Sequence, residues 1–386
     1  MAIEKQRNTF LAQWWWAIDR VILACILVLM AFSAFMVATA SPAVAERIGI
    51  ESLFFIRKQI IYLLLSLIII FGISLLSADL IKKFSLIGFI TGVIMLVLVL
   101  FMGAEFKGAK RWLSLFGFSL QPSEFIKPFF SVITAWLLSQ KYKDQEFPAF
   151  SLSLFIYAVV ACLIILQPDL GMTITLTIIW AGQLFLAGIS FFWVFLSGVG
   201  GALIITLAYF FLPHVSKRID NFLNPEQSEN YQVMRSLEAF VNGGFYGTGP
   251  GEGVVKQFIP DSHTDFIFAV IGEELGFVTC VLVIFIYCLV VIRSLFRMCN
   301  ESDTFLVFAV SGIIIQFGIQ SMINMGVTLN LLPTKGMTLP FISYGGSSMF
   351  AIAIAVGIIL ALTKRKFGSH KYHKARNLSY KLKELT

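Results

Sequence analysis

The run FIFAVIGEELGFVTCVLVIFIYCLVVI, residues 266–292, holds only two charged residues, Glu273 and Glu274. A helix of that length, rising 1.5 Å per residue, covers the ~30 Å hydrocarbon core of a bilayer. Nine further apolar runs fall at roughly 17–39, 54–76, 84–103, 122–140, 149–166, 172–189, 191–212, 303–325 and 345–363. Charged residues are 13% of the chain, against roughly 25% in soluble domains. Phenylalanine alone supplies 39 of the 386 residues, and mean hydropathy is +0.85. The pattern predicts an all-α integral membrane protein, one polytopic bundle of about ten transmembrane helices spanning 1–386 as a single domain. Each charge inside such a bundle then needs a reason.

The net charge of +7 does not point to nucleic acid, because the basic residues follow membrane topology. With a cytoplasmic N-terminus over residues 1–16, 17 of the 29 Lys and Arg fall inside, eight of them in a basic tail over 364–386. The first apolar run is too long for a cleaved signal and lacks a convincing cleavage site, so it is read as a spanning helix. Trp14, Trp15 and Trp16 mark its interface. The five cysteines show no metal spacing and read as small hydrophobes.

Four segments on the expected outer face carry the polar chemistry. In Gly108–Leu113 and Gln121–Pro128, Pro122 suits a first helical turn, and Pro128 should bend the helix. Glu124 and Lys127 share one face there, either as a surface ion pair or as part of a cationic wall with Lys110 and Arg111. Gln167–Gly171 is a tight turn in which Asp169 caps a helix or faces a ligand. Residues 213–265 form one large extracytoplasmic loop, holding His214, Lys217 and Arg218. Its amphipathic helix should place Val233, Leu237, Phe240 and Val241 on one face. Gly243, Gly244, Gly247, Gly249, Gly251 and Gly253 then suggest a hinge or a phosphate cradle.

That loop closes on His263 and Asp265, at the mouth of the 266–292 helix. Gly272 and Gly276 should form a smooth packing face on that helix, and Glu273 and Glu274 sit about 12 Å deeper by the helical rise. The fourth segment, Leu332–Pro340 leading to Ser343–Ser348, reads as broken backbone that lines a polar cavity or merely closes the bundle. It contributes Lys335 and Ser343. A carboxylate and several cations beside lipid-facing helices suit deprotonation of a hydroxyl that attacks a phosphorylated, membrane-bound donor. No phosphate-loop, dinucleotide, metal-cluster or nucleophile-elbow motif competes with that chemistry.

The motifs GAKRWL, QPSEFIK, QPDLG, PHVSKRI, GG-FYGTG, HTDFIFAVIGEELG and LPTKGMTLPFISYGGSS, in that order, resemble the SEDS family (shape, elongation, division and sporulation) over nearly the whole chain. Pro333-Thr334-Lys335-Gly336 is similar to the division branch, FtsW, more than to the elongation branch, RodA. Arg235, Pro250 and Asp261 depart from the common pattern. The resemblance implies a peptidoglycan glycosyltransferase that polymerises lipid II at the outer face of the bacterial inner membrane, at the division septum. Asp265 would be the catalytic base and undecaprenyl pyrophosphate the leaving group. Lys110, Arg111, Glu124, Lys127, Asp169, Arg218, His263, Lys335 and Ser343 would bind substrate. Glu124 or Asp265 would help hold a divalent cation, Mg or Mn. The implied partners are a class B penicillin-binding protein, other membrane proteins of the division machinery and membrane lipid. The alternatives are a lipid II flippase, favoured only by the depth of Glu273 and Glu274, an elongation polymerase of the RodA type, and a non-catalytic scaffold for the division machinery.

Overall fold

The computed structural model describes residues 10–106, 109–115, 118–190, 231–333 and 336–364, with isolated positions between 192 and 220. The run at 191–212, the basic segment around Arg218, Lys335 and the tail from residue 365 lie largely or wholly outside the described residues. The helices are α1 (Phe10–Ala17), α2 (Arg20–Arg47), α3 (Phe54–Ser74), α4 (Ala78–Met102), α5 (Pro122–Gln140) and α6 (Ala149–Ile165). They continue as α7 (Leu170–Leu186), α8 (Tyr231–Gly243), α9 (Ile267–Met298), α10 (Thr304–Thr328) and α11 (Gly346–Leu362). Five of these, α2, α3, α4, α9 and α10, are long and apolar enough to cross a membrane; α6, α7 and α11 are shorter apolar helices. The molecule is a multi-pass helical membrane protein.

α2 begins at Asp19, whose Oδ1 accepts from the N–H groups of Val21 and Ile22 at 3.0 and 3.3 Å. The other oxygen, Oδ2, receives Arg293 and Arg297 from one face of α9 at 3.0 and 2.8 Å. One carboxylate thus starts one helix and ties it to another. α2 runs through Pro42 to Arg47, past the end expected from hydropathy at residue 39. The extra turns are held from outside, because Arg47 donates to the carbonyls of Gln257 and Ile259 at 2.5 and 3.3 Å.

Sequence reading missed a sheet. Between α4 and α5, β1 (Ala104–Phe106), β2 (Ala109–Leu115) and β3 (Phe118–Leu120) form an antiparallel sheet in the order β1-β2-β3. Period-two alternation along β2 turns Arg111 and Leu113 towards the bundle and leaves Lys110, Trp112 and Ser114 exposed. The sheet docks through Ser347 Oγ, which donates to Ser119 O at 3.0 Å and accepts from Gln121 N at 3.1 Å.

α9 packs closely at Gly272 and Gly276, as expected, but it is not one continuous helix. Gly276, with φ 78° and ψ 179°, interrupts it, a conformation essentially reserved for glycine. The gap is filled by the glycine-rich strap that follows α8. Carbonyls of Glu273 and Glu274 accept from Thr248 and Gly249 N–H at 2.9 and 3.0 Å. Beyond the break, Phe277 and Val278 N–H donate to Gly244 and Phe245 carbonyls at 2.9 and 3.3 Å. The strap therefore satisfies backbone groups that a broken helix would leave orphaned in a low-dielectric environment.

α8 turns most of the expected face inward, Val233 buried and Leu237 and Phe240 half-buried, but not Val241. Val233, Ser236, Ala239 and Gly243 are buried, whereas Val241 is 83% exposed. Small residues face inward because Phe240 packs directly over Gly272 of α9, where a Cβ would stand 2.2 Å from the ring.

Candidate active site

α5 supplies a buried ion pair. Pro122 occupies its first turn, and Glu124 and Lys127 project from one face inside the bundle, 3% and 0% exposed. Lys127 Nζ lies 2.7 Å from Glu124 Oε2 and donates to Gln320 Oε1 on α10 at 3.1 Å. A buried ammonium persists only with such compensation. The pair is therefore internal rather than at the surface.

Arg111 sits elsewhere. Its Nε donates to Gln167 O at 3.2 Å, its Nη2 donates to Pro168 O, and Asp169 Oδ2 is 3.8 Å from its Nε. Asp169 also caps α7, accepting from Met172 N at 3.2 Å. Capping and ion pairing together account for its carboxylate. Lys110 is exposed on the opposite face of β2, so Lys110 and Arg111 do not share one wall.

Asp265 lies at the mouth of α9 and is partly exposed. The turn that carries it is fixed by Thr264 and Phe266 N–H donating to Asp261 O at 3.1 and 3.2 Å. Asn324 Nδ2 on α10 donates both to Asp265 O at 2.8 Å and to Met337 O at 2.6 Å. These bonds bring the broken segment after α10 against the acid. Gly336 packs so closely that a Cβ there would stand 2.9 Å from Asp265 Oδ2.

His263 stands behind this turn. Its ring lies 4.4 Å from that of Phe55 and 5.3 Å from that of Tyr344, and its carbonyl accepts from Tyr344 N at 2.9 Å. Burial pushes its pKa down to about 4, so the ring is neutral at physiological pH and offers no charge to an anion. Ser343 is a staple: its hydroxyl donates to Thr264 O at 2.6 Å and accepts from Leu339 N at 2.8 Å. Both residues support the acid's turn.

The deep pair Glu273 and Glu274 also has internal work. Glu273 accepts from Val255 and Lys256 N–H at 2.7 and 2.8 Å and from Asn242 Nδ2 at 3.0 Å. Glu274 pairs with buried Lys256, whose Nζ also donates to Thr39 O at 2.9 Å and Gly251 O at 3.1 Å. They anchor the strap, which removes the argument for a transport path.

Sequence reasoning overlooked Lys256, Gln320 and Asn324. Gln316, Gln320 and Asn324, four residues apart in an apolar run, were the available signal for the last two. For a metal the fit is poor. Among the described residues no three His, Cys, Asp or Glu side chains gather, and Glu124 is matched by Lys127.

Comparison with known proteins follows the whole bundle. Residues 19–367 match the cell cycle protein family of FtsW, RodA and SpoVE. The chain is 37% identical over 372 residues to the probable peptidoglycan glycosyltransferase FtsW of Caulobacter vibrioides, covering 96% of this chain and 95% of that one. The protein of the same name from Coxiella burnetii is 36% identical over 362 residues, covering 90% and 96%. In fold, it matches a chain of a peptidoglycan synthase complex with TM-score 0.76 at 24% identity, covering 90% and 98%. The rod shape determining protein RodA of Thermus thermophilus follows with TM-score 0.68 at 23% identity, covering 90% and 97%.

Proposed function

The chain belongs to the cell cycle protein family of FtsW, RodA and SpoVE, and from that premise we propose that it is a peptidoglycan glycosyltransferase polymerising lipid II. One observation carries the reading. Among the acids at this end of the bundle, Glu124, Asp169, Glu273 and Glu274 are buried and committed to internal ion pairs and caps. Asp261 and Asp265 on the following turn are both partly exposed, but Asp261 accepts from Gln232 Nε2 and holds the turn through its carbonyl, whereas Asp265 stands at the helix mouth against Gly336, held from behind by Asn324.

Asp265 takes the proton from the 4-hydroxyl of the acceptor GlcNAc as that oxygen attacks the anomeric carbon of the donor MurNAc. The carbon–oxygen bond to pyrophosphate breaks, the configuration inverts, and undecaprenyl pyrophosphate departs. Lys127, oriented by Glu124, and Arg111, fixed by backbone carbonyls, favour the charge developing on that leaving group. Arg218 and Lys335, on segments outside the described residues, would add to it. A divalent cation would depend on donor phosphate oxygens and a single carboxylate, Asp265, and no step here is routed through it.

The reaction belongs on the outer face of the inner membrane at the septum. A class B penicillin-binding protein would crosslink the strands, and the basic tail would meet anionic lipid. The test is polymerisation of labelled lipid II by the purified full-length protein with its crosslinking partner. Wild type should make glycan strands, and folded Asp265→Asn should make none. Strands from both would remove Asp265 as base; movement of lipid II across liposomes without polymer would favour the flippase.

A further inference from the structure

Two buried amides on α10 stand one helical turn apart, Gln320 at 0% and Asn324 at 1% exposure. Neither is part of the chemistry above, and their bonds end on the groups that are. Gln320 uses both ends of its amide: Oε1 accepts from Lys127 Nζ at 3.1 Å, and Nε2 donates to Thr338 O at 3.2 Å and Ser348 Oγ at 3.3 Å. Asn324 donates to the carbonyls of Asp265 and Met337. Met337 and Thr338 are consecutive, so the two amides grip adjacent carbonyls of one non-helical segment, one amide also holding the cation and the other the acid.

From this geometry we infer that Gln320 and Asn324 are positioning residues, which set Lys127 and Asp265 at a fixed separation across the broken 336–339 segment. The inference rests on the proposed transferase reading. An uncharged amide is the side chain suited to the task, because it offers an acceptor to an ammonium and donors to carbonyls at once. A carboxylate at 324 would instead face two carbonyl oxygens with no proton to give them. A hydrocarbon at 320 would leave the Lys127 ammonium with Glu124 alone and the Thr338 carbonyl without that donor.

The two positions should therefore fail differently. Asn324→Ala loosens the acid, which should lower kcat by about 10- to 100-fold, leave KM within about threefold, and move the acid limb of the pH–rate profile. Gln320→Ala loosens the cation, which should raise KM for lipid II several-fold, with kcat and the acid limb close to wild type. Asn324→Leu and Gln320→Met, which remove the amides while keeping the volume, replace the alanine variants if those fail to fold, as judged by thermal shift and gel filtration in detergent. Each reaction uses fluorescent lipid II, the full-length protein and its crosslinking partner, with Asp265→Asn alongside. Equal kcat losses that track the loss of thermal stability, with KM and pH profile unmoved, would reduce both amides to structural glue and overturn the inference. Wild-type kinetics in both, beside an inactive Asp265→Asn, would also overturn it while the transferase reading stands. An active Asp265→Asn would instead strike at that reading.

Discussion

Asp265 owes part of its placement to an atom that is absent at position 336. A methyl group there would press on Oδ2, the movable end of a side chain, so the carboxylate would turn aside before the fold gave way. Gly336→Ala is therefore expected to keep its thermal stability while losing activity by about 100-fold, the scale of a 1 Å misplacement of a catalytic group. Parallel thermal-shift and polymerisation assays check it. His263 makes the complementary prediction about stability. Its folded pKa, about 4, lies below the ordinary 6.5. Between those values the unfolded chain takes up a proton that the folded chain refuses. Stability should thus be full above pH 6.5 and fall as pH drops towards 4, by on the order of 3 kcal/mol from this group. His263→Phe should flatten that part of the pH–Tm curve in detergent.

At the scale of elements, the strap and the broken helix act as one piece. Gly276→Ala would put a Cβ 2.4 Å from Gly247 N and 2.5 Å from Phe245 O, in a backbone region that alanine avoids. Both contacts are backbone, so neither can yield cheaply. The expected cost is about 2–4 kcal/mol from strain and lost strap bonds, read as a lower apparent Tm and faster amide exchange across 244–249. Hydropathy identified the 266–292 run as a spanning helix and located its two acids. The break was invisible there, because the bonds that close it come from the preceding loop. The same holds for β1–β3, where only β2 is long enough to show alternation and its inward positions, Arg111 and Leu113, meet helices from elsewhere in the chain.

Across the whole molecule, polar clamps tie the helices at both ends. Where α2 begins, Asp19 joins it to the far end of α9; at the other end, Lys256 and Arg47 join the strap to α2. Asp19→Ala removes a cap and two ion pairs whose arginines are partly exposed, so the loss should be modest, roughly 1–2 kcal/mol. It should raise amide exchange near Arg293 and Arg297 while leaving the turn at Asp265 protected, and hydrogen-exchange mass spectrometry would show whether the two ends are energetically separate.

The number and length of apolar runs, the side on which chemistry collects and the acid at the mouth of 266–292 were all set by residues close together in sequence. Hydrophobic periodicity and helix-terminus chemistry are local properties, so they could be read directly. What each buried polar group does was decided only in three dimensions. Lys127 meets Gln320 across 193 residues, and Ser33 meets the Ile342 carbonyl across 309. In a low-dielectric interior every polar atom must find a partner, and that partner is chosen by which helices the fold places side by side.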